Sequence, residues 1–252
     1  MTTADALPMV FVHGTRFSAG QWSPQLAALG EEFPVTAVDL PGHGTRASEP
    51  WSLSAATRVI SSAVESLGCG PALVVGHSLG GYAALEFARR HPEQLRGLVL
   101  AGASASTRGA WAAPYRWVAG LVPRVPAERL TRWNDRMLRR LYPPEVVDAT
   151  IRSGYAFHTL PAAWGEVLGR FDATAMRHVA APVLILNGEK DTVFRSGERE
   201  FARAHPDARV ELVPRARHLA NFDEPAAFTD AVRRFARELR AAAPGAPVSP
   251  RP

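Results

Sequence analysis

An α/β fold is expected, with a mostly parallel sheet of about six strands flanked by helices, on three observations. Short apolar runs alternate with amphipathic stretches of helical period over most of the chain, which implies βαβ units. The residues able to carry chemistry follow the apolar runs, at the edge where open parallel sheets bind ligands. The alternation is interrupted once, between Thr107 and Met176, by helical pieces without a convincing strand. That interruption predicts a helical lid inserted after the fourth strand. The expected division is a core of residues 1–106 and 177–240, a lid of 107–176 and a disordered tail of 241–252, rich in Ala and Pro.

Taken in order, Pro8 to Val12 is a buried strand ending at His13-Gly14. Ala19 to Glu32 carries Trp22, Leu26 and Leu29 at helical spacing. Val35 to Leu40 is the second strand and runs into Asp39-Leu40-Pro41-Gly42-His43-Gly44. Leu53 to Leu67 is an amphipathic helix that Ser52 or Ser54 would cap. Ala72 to Gly76 is the third strand, Leu79 to Arg90 the helix after it, and Leu95 to Ala101 the fourth strand. Beyond the interruption come strand Pro182 to Asn187, helix Ser196 to Ala204, strand Arg209 to Val213 and helix Pro225 to Leu239. Within the interruption, Pro114, Pro123, Pro126, Pro143-Pro144 and Pro161 break the helices. Its aromatics, among them Trp111, Trp117, Trp133, Trp164, Tyr115, Tyr142, Tyr155 and Phe157, are expected to hold the lid together, with one or two lining a pocket.

Composition narrows the function classes. The 252 residues are 46% hydrophobic and 21% charged, as in a globular protein with a full core. No apolar run approaches the roughly 20 residues of a membrane span. No secretory signal is visible and Cys69 is the only cysteine, so a cytoplasmic protein without disulfides is expected, with no cofactor or metal. The net charge is +5, and Lys190 is the lone lysine. Nine arginines (108, 116, 124, 129, 132, 136, 139, 140 and 152) face four acids between Ser104 and Arg152, so the whole excess lies in the interruption. A neutral scaffold with one basic segment argues against nucleic-acid binding but suits an anionic ligand or partner. The plainer reading is a solvated helical face.

Between the third strand and its helix stands Gly76-His77-Ser78-Leu79-Gly80, a G-x-S-x-G pattern. A strand turning that sharply into a helix leaves no room for side chains at Gly76 and Gly80 and holds the Ser78 hydroxyl out over the sheet. The helix N-terminus beside it favours negative charge. A serine hydroxyl needs a base to become a nucleophile near neutral pH. His218, on the loop after the sixth strand, stands in that position, ahead of His13, His43 and His77, which read as structural. Asp191 or Glu189, after the fifth strand, would orient the imidazole.

The order serine, acid, histidine, each after a strand, resembles the α/β-hydrolase superfamily of serine hydrolases and esterases. The resemblance spans nearly the whole chain: HG after the first strand, DLPGHG after the second, GHSLGG at the nucleophile elbow, GEKD after the fifth, and His218 ahead of Asp223-Glu224-Pro225. It implies a catalytic triad of Ser78, His218 and Asp191, the last preferred over Glu189 by position. It implies an oxyanion hole from the backbone N–H groups of Thr15 and Leu79. The loop Gly102-Ala103-Ser104 has no carboxylate, so the alternative acid position of some relatives is empty. The activity implied is hydrolysis of a carboxylic ester, lactone or thioester through an acyl-enzyme. The substrate would be a small acyl compound, or an anionic one, a CoA thioester or an acyl carrier protein received at the basic lid. The rivals are a lyase or C–C bond hydrolase using the same triad, cofactor-free haloperoxidase-like activity, and a non-catalytic ligand binder. The elbow lacks the arginine associated with the menaquinone-pathway lyases, which counts against that option.

Two departures from the pattern stand out. Too few residues precede Val10 for the antiparallel hairpin that opens many relatives, so a shortened sheet is expected. Arg217 replaces the glycine that often precedes the catalytic histidine, and Arg16 follows the oxyanion loop. Either arginine is placed to hold a substrate carboxylate or phosphate; the bland reading turns both toward solvent.

Overall fold

A computed structural model describes residues 6–109 and 113–242. Trp111 and the expected tail from residue 243 onward lie outside the described residues. The strands are β1 (Met9–Val12), β2 (Val35–Val38), β3 (Ala72–His77), β4 (Leu95–Ala101), β5 (Val183–Gly188) and β6 (Ala208–Val213). They form one six-stranded sheet in the order β2-β1-β3-β4-β5-β6, with every pair parallel. Val12 lies opposite both Val38 and Gly76, and His77 lies opposite Ala101, so the carboxyl ends share one edge. The strand order reverses between β1 and its neighbours β2 and β3, which opens a crevice there.

The inner strands β1, β3, β4 and β5 are buried on both faces, which is why they read as apolar runs, whereas the edge strands β2 and β6 are only partly buried. Residues of one parity, Val10, Val74, Leu98 and Ile185 among them, pack against α2 (Leu53–Leu67), α3 (Leu79–Arg90) and the 157–181 region. Those of the other parity, including Phe11, Leu73, Val99 and Leu184, pack against α1 (Ser23–Leu29) and the last helix, α10 (Pro225–Ala241). Ser52 supplies the α2 cap by accepting a hydrogen bond from Ala55 N. Two helices are shorter than expected. A 3₁₀ turn over Ala19–Trp22 precedes α1, because Pro24 favours a helix start there. Another, Phe194–Gly197, precedes α8 (Glu198–Arg203).

Between β4 and β5 lie α4 (Ala113–Leu121), α5 (Ala127–Leu141), α6 (Pro144–Arg152) and α7 (Leu160–Val167), and no strand occurs among the described residues. The prolines that read as breaks fall at the boundaries between these helices. Pro144 and Pro161 sit in first turns, where no backbone N–H is needed. Several contacts tie the segment to the core. Glu166 accepts from the Leu53 N–H at the start of α2 (2.7 Å), and Arg170 pairs with the buried Glu86 of α3 (3.1 Å). A small cluster joins Leu138, Tyr142, Val146 and Val147 to Phe17 and to Phe222 of the short helix α9 (Ala220–Asp223). Among the described residues no helix is long and apolar enough to cross a membrane.

Phe235 of α10 is fully buried against the sheet. Phe235→Ala is expected to lower the unfolding free energy by about 3–5 kcal/mol, whereas Ser52→Ala removes only a cap worth ~1 kcal/mol. Urea unfolding followed by circular dichroism measures both, and similar losses for the two would contradict this packing.

Candidate active site

The loops after β1, β3, β4, β5 and β6 meet at the carboxyl edge. Ser78 stands at the turn from β3 into α3 with φ 51° and ψ −116°, in the left-handed region that a serine rarely occupies. Its N–H donates to Ala101 O of β4 (2.8 Å), which pins the turn to the sheet. A Cβ on Gly80 would stand 2.4 Å from Val12 O, and one on Gly76 would stand 2.5 Å from Gly80 O. Glycine is therefore obligatory at both, as the spacing predicted.

His218 and Asp191 come together: Nδ1 and Oδ2 are 2.7 Å apart, and Asp191 is 5% exposed. The other carboxylate oxygen accepts from Phe194 N (3.2 Å). The imidazole stacks on Phe194 with ring centroids 4.2 Å apart. Asp191 thus leaves the His218 Nε2 as the free nitrogen. Glu189, the rival acid, is exposed and accepts from Arg215 N (2.8 Å), away from the histidine. Gly102, at φ +56°, lies beneath the imidazole, where a Cβ would stand 2.9 Å from the ring. This explains why the loop after β4 carries no side chain at that point.

Ser78 and His218 face one cavity of about 360 Å³. No hydrogen bond joins Ser78 Oγ to His218 among the described residues; such contacts commonly tighten only around a substrate. Thr15 lines the same cavity. Among the described residues the N–H groups of Thr15 and Leu79 donate to no other group, so both remain available to an oxyanion. The Thr15 hydroxyl is likewise buried without a partner. The walls are apolar and aromatic, with Tyr115, Val118, Leu160, Trp164 and Phe194. Tyr115 and Trp164 are the aromatics of the inserted segment that reach the pocket; Trp117 and Trp133 are 69% and 60% exposed.

Gln21 went unrecognised in the sequence. Its Oε1 accepts from the Gly14 N–H (2.8 Å), so its amide nitrogen must be the group facing His77 Nδ1 (3.0 Å). That leaves the His77 proton on Nε2, where it donates to His218 O (3.0 Å). Burial, with the neighbouring His218 second, holds the His77 pKa well below its usual value, so the ring is neutral. The only sequence signal was a pair of glutamines four apart, Gln21 and Gln25, beside Trp22. His13 is also structural: it accepts from Leu40 N, and burial lowers its pKa to about 3. His43 bonds Pro41 O and Thr159.

A family model described as "Alpha/beta hydrolase family" matches residues 9–231. The chain belongs to that family. Similar to this alpha/beta hydrolase is a pimeloyl-[acyl-carrier protein] methyl ester esterase of Neisseria meningitidis, 26% identical, with 92% of this chain and 94% of the relative covered. So is carboxylesterase YbfK of Bacillus subtilis, 26% identical, with 88% and 77% covered. Among solved structures, a thermophilic esterase from Thermogutta terrifontis with malate bound superposes with a TM-score of 0.76 at 27% identity, covering 94% of this chain and 91% of that one.

Gln21→Leu would strand two buried groups, the Gly14 N–H and His77 Nδ1. The expected loss is about 1–3 kcal/mol per stranded group, read as a lowered denaturant midpoint. An unchanged midpoint would remove this network as a structural element.

Proposed function

We propose that the protein is a serine hydrolase that cleaves a carboxylic ester, lactone or thioester through an acyl-enzyme. The observation that carries this reading is the Asp191–His218 hydrogen bond of 2.7 Å, opening on the cavity that Ser78 also lines. In this mechanism His218 Nε2 takes the Ser78 proton as Oγ attacks the carbonyl carbon, and Asp191 stabilises the imidazolium that results. The N–H groups of Thr15 and Leu79 stabilise the oxyanion. His218 then returns the proton to the departing alcohol or thiol. Water, deprotonated by the same nitrogen, releases the acid and restores Ser78. The core of this machine is 1–106 and 177–240, and residues 107–176 form a lid whose Tyr115, Leu160 and Trp164 shape the acyl site. The similar proteins named as esterases support this chemistry over the lyase, haloperoxidase-like and non-catalytic readings.

A second reading places the acyl group on an acidic carrier. Arg132, Arg136 and Arg140 are exposed on α5, and no salt bridge engages them among the described residues. The relative named for a pimeloyl-carrier ester suits such a surface, which would steer an anionic partner toward the cavity.

A fluorophosphonate probe is expected to label the protein once, and Ser78→Ala to abolish both label and ester turnover. Asp191→Asn is expected to lower kcat by about four orders of magnitude with the probe site intact. Hydrolysis in ¹⁸O-water should place the isotope in the product acid; an unlabelled product would favour elimination. Reversing Arg132, Arg136 and Arg140 to Glu should raise KM for a carrier-bound ester by tenfold or more and leave a small ester unaffected. Equal effects on both esters would count against the carrier.

A further inference from the structure

The two arginines beside the site have different fates. Arg217 is engaged: its N–H and guanidinium both bond Asp223, at 2.6 and 2.7 Å. Arg16 lines the cavity beside Thr15 and Ser78 and forms no salt bridge among the described residues. Its Nε donates to Asn134 Oδ1 on α5 (3.0 Å), its carbonyl accepts from Ala156 N (2.9 Å), and its guanidinium lies 4.4 Å over the Phe17 ring. The two Nη groups make no hydrogen bond among the described residues. The backbone is held at φ 64°, which costs an arginine energy and is sustained by these contacts. Burial lowers its pKa to about 10, so it stays charged at neutral pH. It is the one arginine or lysine among the described residues lining the cavity, and His77 there is neutral. The free two-pronged fork matches the two oxygens of one carboxylate, and its single positive charge balances that carboxylate, whereas a dianionic phosphate would leave one negative charge uncompensated in the cavity.

We propose that Arg16 receives a carboxylate on the substrate, so that the site selects esters bearing a second, ionised acid group over their neutral counterparts. This rests on the ester-hydrolase reading for turnover but not for binding. Arg16 is in this view a specificity-determining residue: Asn134 and Phe17 orient the fork before the ligand arrives, which reduces what binding must order. The attachment of Asn134 to α5 couples that fork to the segment above the cavity.

The test uses monomethyl hemiesters of succinate, glutarate and adipate beside the matching dimethyl diesters. The native protein should prefer the hemiester at one or more chain lengths, by tenfold or more in kcat/KM. Arg16→Gln should collapse that ratio, mainly through KM, whatever happens to absolute rates. Arg16→Lys should retain part of it, since a point charge replaces the fork. Calorimetry of succinate, glutarate and adipate binding to Ser78→Ala gives a readout free of turnover. Measurable binding there that is lost with Arg16→Gln added supports the carboxylate site even if no ester is cleaved. No preference by the native protein together with no dicarboxylate binding by Ser78→Ala overturns it. So does binding that Arg16→Gln leaves intact. Should Arg16→Gln fail to fold in a thermal scan, the native ratio and Arg16→Lys decide: a ratio undiminished by lysine overturns the fork.

Discussion

One buried amide holds three loops in register. Gln21 joins the Gly14 N–H to His77, and His77 joins in turn to the carbonyl of His218. The loop after β1, the turn after β3 and the loop after β6 come from three separate strands, and this relay connects them. Each link determines the polarity of the next. A backbone N–H can only donate, so the amide must present its nitrogen to His77 and the imidazole must keep its proton on Nε2. A protonated His77 could not accept from Gln21, and burial prevents that protonation. The residue beside Ser78 therefore serves as a neutral spacer. Asn221 extends the same network, donating to Gln21 O and accepting from Gln25 Nε2 through its own carbonyl.

Around this relay the backbone carries local strain. Ser78 and Arg16 both occupy the left-handed region, at a typical cost of about 1–3 kcal/mol each. The sheet offsets it. Ser78 N is bonded to β4, and the elbow glycines let α3 approach the end of β1 at a distance no side chain would permit. Two fully buried apolar layers lie behind that contact, so relaxing the turn would disturb packing on both faces.

The inserted segment does two jobs with different residues. Tyr142, Leu138 and Val147 do not line the cavity and fasten the segment to Phe222 and to Phe17, which does line it. Tyr115, Leu160 and Trp164 face the cavity and set its shape. Asn134 links the two sets, since it is buried on α5 and holds the Arg16 guanidinium. The outer face of the same helix carries its arginines and Trp133 in solvent.

The sequence by itself determined the sheet, its parallel sense and the placement of the site residues after strands. Those features depend on local period and on glycines that short-range geometry demands, such as Gly76 and Gly80. It also read His13 and His43 as structural on position alone, although their partners include Leu40 and Thr159, which are distant in sequence. Residue type alone left Asp191 and Glu189 open, and only the family resemblance favoured Asp191; in the tertiary structure Asp191 bonds His218 while Glu189 bonds the Arg215 N–H. The contrast between Arg217, neutralised by Asp223, and Arg16, left with an open fork, belonged to tertiary structure. The role of Gln21, and the way the prolines of the insertion start helices as well as separate them, were not legible for the same reason. A polar side chain in an apolar helix, or a proline between helices, acquires its role from partners distant in sequence. Local pattern encodes which way a backbone runs, whereas a hydrogen bond between loops exists only once the chain has closed around it.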